Sequence, residues 1–71
     1  MRSTLFELAR AYVRLIEQIE HTSDPRELRT LEEQRVEAHN RFADALQRAG
    51  ISYKDRDHVT RIAFRIAKQE L

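Results

Sequence analysis

One proline and one glycine punctuate the 71 residues, at positions 25 and 50. Nothing else interrupts the chain so sharply, and the two divide it into three nearly equal parts. Proline is tolerated at the first position of a helix, and glycine is the usual residue just past a helix end. Asp24-Pro25-Arg26-Glu27 therefore reads as a helix start, with Asp24 as cap and Glu27 placed where an acid favours the helix dipole. Gly50 reads as a left-handed stop. Ile51 follows where a Schellman motif sets an apolar residue against the third-last helical position, here Leu46.

These marks predict an all-α, three-helix bundle spanning residues 1–71 as a single domain, with helices over about 4–21, 25–49 and 53–70. The first helix opens with Thr4 and Glu7 at capping-box spacing. Ser52 is the expected cap of the third, which leaves Gly50–Ser52 as the whole connection. A turn this short predicts that helices two and three form an antiparallel hairpin. Leu, Ile, Val and Phe number 18, enough to set the chain apart from disordered sequences.

The apolar residues are more abundant than one core stripe requires. In the first helix Leu5, Leu8, Tyr12, Leu15 and Ile19 recur at steps of three and four, which marks one helical face. Phe6, Ala9, Val13 and Ile16 form a second stripe beside it, and the two merge into an arc of about 180°. A surface helix usually shows a narrower one. The third helix repeats the pattern, with Tyr53, Thr60, Phe64, Ala67 and Leu71 beside Val59, Ile62, Ala63 and Ile66. Two arrangements accommodate the second stripes. They fill one intramolecular core, or they cover a surface for another chain, either a second copy or a different protein.

Helix two is apolar at both ends, Leu28 and Leu31 then Phe42 and Leu46, with a polar waist from Glu32 to Arg41. Arg35 and His39 lie near the centre of its apolar arc. A polar group there must pair or reach water. The sequence leaves two roles for Arg35, a snorkelling side chain and an anchor for a partner carboxylate. His39 is expected to be partly exposed.

Several chemistries find no footing. The chain has no cysteine, which removes disulfides, thiol nucleophiles and cysteine metal sites together. His21, His39 and His58 fall in no zinc motif. The hydroxyls of Ser3, Thr4, Ser23 and Ser52 sit at expected helix starts, where capping explains them. One glycine cannot build a phosphate loop. No catalytic residue, metal or cofactor is therefore expected. No apolar run is long enough to cross a membrane, and Glu7, Arg10 and Arg14 interrupt any signal-peptide centre, so the cytoplasm is the expected location.

The net charge is +1, and eleven of the thirteen basic residues are Arg. From His58 to Gln69 there is no acid. Lys54, His58, Arg61, Arg65 and Lys68 line one side of helix three, opposite its apolar arc. Such a stripe suits a solvated face, nucleic-acid phosphates or an acidic protein partner.

The segments Ser3-Thr4-Leu5-Phe6-Glu7-Leu8-Ala9-Arg10 and Glu37-Ala38-His39-Asn40-Arg41-Phe42-Ala43 cover about a fifth of the chain. With the chain's size, helicity and arginine-rich style, they resemble the small helical antiactivators of bacterial conjugative and integrative elements. Those proteins silence quorum-sensing transcription activators. The resemblance implies a cofactor-free protein that binds an activator and blocks it. On that reading Phe6, Val13, Ile16, Tyr53, Phe64 and Leu71 supply the apolar contact, Arg61, Arg65 and Lys68 steer the encounter, and Arg35 anchors a carboxylate. A nucleic-acid-binding protein using the basic face and a structural homodimer closed by the second stripes are the alternatives.

Overall fold

A computed structural model describes residues 4–69. It contains three helices, α1 Thr4–His21, α2 Pro25–Arg48 and α3 Arg56–Lys68. The all-α, three-helix architecture expected from the sequence is the one observed. Ser3, the end of the expected third helix at Glu70, and Leu71 lie outside the described residues.

The connection between α1 and α2 follows its residue types. Asp24 holds an extended conformation and its Oδ1 accepts the Arg26 N–H at 3.0 Å. Pro25 takes the first helical position, where its missing N–H leaves nothing unsatisfied. Glu27 in the first turn accepts the Thr22 hydroxyl at 2.9 Å, tying the helix to the connecting segment.

At the other end of α2, Gly50 adopts φ +77°, a region costly for any residue with a Cβ. Its N–H reaches the Gln47 carbonyl at 3.0 Å, and the Ile51 N–H reaches the Leu46 carbonyl at 2.9 Å. This is the Schellman pairing anticipated from Gly50 and Ile51.

Helix α3 starts later than the sequence reading placed it. Residues 52–54 are not helical, and the cap is Asp55, whose Oδ1 accepts the His58 N–H at 2.9 Å. A carboxylate at the positive end of a helix outcompetes the neutral hydroxyl of Ser52. His58 adds a second restraint, because its Nδ1 accepts the Lys54 N–H at 2.9 Å and holds that residue outside the helix. The connection therefore runs from Ala49 to Asp55. The turn at Gly50 is formed as expected, but the connection is longer than the Gly50–Ser52 expected from the sequence.

Helix α1 is the shared partner. It packs extensively against both α2 and α3, which touch each other only sparsely. This placement accounts for the wide apolar arc of α1, since a helix between two neighbours must be apolar toward each. The core gathers Ala9, Tyr12 and Val13 from α1, Phe42 and Leu46 from α2, and Val59 and Ala63 from α3. Leu5, Leu8, Ile16, Phe64 and Ile66 pack partly buried at its margin.

The molecule measures 38 × 26 × 17 Å. The 24 residues of α2 account for the long dimension, since they rise about 36 Å. The 13 residues of α3 reach only about 20 Å. The first ten residues of α2 are the least buried stretch of that helix. From Pro25 to Gln34 every residue is exposed except Leu31, which is half-buried.

Candidate protein interface

The residues expected to contact a partner are divided by the fold. Phe6 and Val13 are buried, at 6% and 7% exposure. They serve the core rather than an outer surface, because α1 has a neighbour on each side. Ile16, Tyr53 and Phe64 are half-buried and keep some outward surface. Tyr53 is tied to the end of α2, its hydroxyl accepting from Gln47 Nε2 at 3.2 Å.

Arg35 is half-buried and already engaged within its own helix. Its Nε donates to Glu32 Oε1 at 2.9 Å. The hydrogen bond to Glu32 raises the guanidinium pKa above its ordinary value, with a smaller contribution from Tyr12, while burial opposes the shift. Its carboxylate partner within the chain is thus Glu32 of its own helix.

A polar node that the apolar pattern concealed lies beneath Arg35. Tyr12, placed by its spacing in the core stripe of α1, is only 1% exposed. Its hydroxyl sits 2.8 Å from Thr60 Oγ1 of α3. Its ring meets His39 of α2 edge-on at 5.5 Å and Phe42 at 6.4 Å. One side chain thereby links all three helices. His39 is 5% exposed, not partly solvated as the sequence reading expected. Neither of its ring nitrogens has a hydrogen-bond partner among the described residues.

The basic side of α3 is less uniform than its spacing implies. Arg61 pairs with Asp57 at 2.9 Å, an i,i+4 bridge within the helix. His58 is occupied by the Lys54 N–H. Lys68 Nζ lies 5.9 Å from the centroid of Phe64, within cation–π range. Arg65 is exposed and joins no ion pair among the described residues. Phe64 and Lys68 thus form an outward pair near the end of α3, a half-buried aromatic with one cation over it, and Arg65 is exposed at the next position.

Among the described residues no group of three or more His, Asp or Glu side chains is placed to hold a metal ion. None of the described histidines has a hydrogen bond to a hydroxyl, the contact a base–nucleophile pair uses. Among the described residues no helix is long and apolar enough to cross a membrane. No protein-family model, curated protein or solved structure matches the chain.

Proposed function

We propose that this protein is a non-enzymatic binder of another protein, most concretely an antiactivator that occludes a transcription activator in the cytoplasm. The observation that carries the reading is the Phe64–Lys68 pair on α3. Phe64 is a partly exposed aromatic resting on the core, with Lys68 over its ring, and the next residue, Arg65, is exposed and joins no ion pair among the described residues. Aromatic residues and arginines dominate interface energetics, and a cationic rim steers an acidic target. The resemblance of residues 3–10 and 37–43 to small antiactivators supports the choice of target. No cofactor enters the mechanism, which is steric occlusion.

The nucleic-acid reading draws less support. Arg61 is neutralised by Asp57, and Asp55 joins Asp57 at the start of the same helix. Among the described residues Lys54, Arg65 and Lys68 of the stripe join no ion pair, and Lys54 lies outside the helix beside Asp55.

Capture of the activator by the tagged protein tests the proposal. Phe64→Asp should abolish capture, and Arg65→Glu should weaken it about tenfold without touching the core. Circular dichroism checks that both variants keep their helicity. Undiminished capture by folded Arg65→Glu and Phe64→Asp proteins would place the contact elsewhere.

A further inference from the structure

The exposed start of α2 carries its own pattern. Pro25, Leu28, Arg29, Glu32, Glu33 and Val36 line one shallow surface there. Leu28 and Val36 are two of the three large apolar residues exposed among the described ones, at 36% and 39%. On a helical wheel Leu28 continues the line of His39 and Leu46. It therefore shares the register of the core positions but is left partly exposed, while His39 and Leu46 are buried.

The charges beside it are arranged to match themselves. Arg29 and Glu33 are four residues apart on the same flank, and neither joins an ion pair among the described residues. Elsewhere in the chain the acid comes first and the arginine follows, as in Glu37–Arg41, Asp44–Arg48 and Asp57–Arg61, and those pairs close within one helix. The reversed order at Arg29 and Glu33 is the less favourable one for pairing within a helix. It suits an antiparallel neighbour of the same sequence. A two-fold axis passing beside Leu31 sets position 29 of one helix level with position 33 of the other, on the same flank, twice over.

We propose that this face of α2 is a self-association surface on which a second copy of the chain lays its own α2 antiparallel. Val36 of each copy seats between the partner's Pro25 and Leu28. Arg29 of each pairs with the partner's Glu33. Glu32, which nears its own counterpart at the axis, is already bridged by Arg35 at 2.9 Å. The contact spans about three turns of helix, so it falls at the small end of specific interfaces. Phe64, Arg65 and Lys68 of α3 take no part in it, so this inference stands or falls separately from partner capture.

Sedimentation velocity on the full chain, over a concentration series reaching about 1 mM, tests it. The wild type should pass from monomer to dimer. Arg29→Glu and Glu33→Arg each turn two attractive pairs into two repulsive ones, and each alone should weaken association tenfold or more, as an order of magnitude. Mixed in equal amounts, the two variants restore both pairs across one interface, and a heterodimer of near wild-type affinity should form. Leu28→Asp should be monomeric. Circular dichroism verifies that all three remain helical, as exposed positions allow. A wild type that stays monomeric throughout overturns the proposal, leaving the face to solvent or to a different protein. A dimer indifferent to both charge reversals, or a mixture no tighter than the single variants, overturns it equally.

Discussion

The hydroxyls of Tyr12 and Thr60 meet at 2.8 Å across 48 positions of sequence, joining the middle of α1 to the middle of α3. Each hydroxyl can donate or accept, and Thr60 also reaches the Arg56 carbonyl at 3.3 Å. Tyr12→Phe removes the cross-helix bond while keeping the ring in the core. The expected loss is about 1 kcal/mol, or about 5 °C in Tm for a domain of this size. A double-mutant cycle with Thr60→Val, read by thermal or urea unfolding, should return a coupling of the same order. Additive effects would mean that the two hydroxyls do not support one another.

His39 presents the opposite case. Both ring nitrogens are buried without a partner among the described residues, a configuration that carries a desolvation penalty and no compensating bond. Replacing the ring by a phenyl group keeps the edge-on contact with Tyr12 and removes the two polar atoms. His39→Phe should therefore raise stability, by about 1 kcal/mol in urea unfolding. A loss of similar size would show that the imidazole is satisfied in solution.

The start of α3 separates two residues that look alike on paper. Asp55→Ala removes the acceptor of the His58 N–H and should destabilise the fold by about 1 kcal/mol. Ser52→Ala should change it by less than about 0.5 kcal/mol, since Ser52 is exposed and outside the helix. Equal effects, or a larger effect at Ser52, would contradict the observed boundary.

Much of this fold is readable from residue types. Asp24-Pro25 and Gly50 act through local backbone geometry, so the ends they mark depend on neighbours in sequence alone. The start of α3 defeats that reasoning. Ser52 suits the role by residue type, but Asp55 takes it, and His58 reinforces the choice by accepting the N–H of Lys54 and giving its own to Asp55.

The faces are harder still. The periodicity of Phe6 and Val13 shows that they are turned together, but whether they meet a neighbouring helix or open surface depends on α1 lying between α2 and α3. That is a property of tertiary arrangement and leaves no mark in the spacing of α1 itself. Leu28 misleads in the other direction. It shares the line of Leu46, yet Leu46 is fully buried and Leu28 is 36% exposed, a difference of tertiary arrangement that the shared register does not disclose. Tyr12 hides its polar role for a similar reason. Its spacing is that of a core residue, and its hydroxyl partner lies on a helix whose register the sequence does not disclose.

Of the expected interface, the outward pair of Phe64 and Lys68, with Arg65 exposed at the next position, is what the fold leaves available on α3. The central claim is that these residues capture a protein target. Affinity purification of the tagged chain from its native host, with mass spectrometry of the bound proteins and the Phe64→Asp and Arg65→Glu variants run in parallel, tests it most directly. The account predicts that wild type retains a transcription activator, that Phe64→Asp loses it, and that Arg65→Glu retains about a tenth as much. Equal recovery of that protein by wild type and by both folded variants, or the absence of any transcription activator from the wild-type eluate, would contradict it.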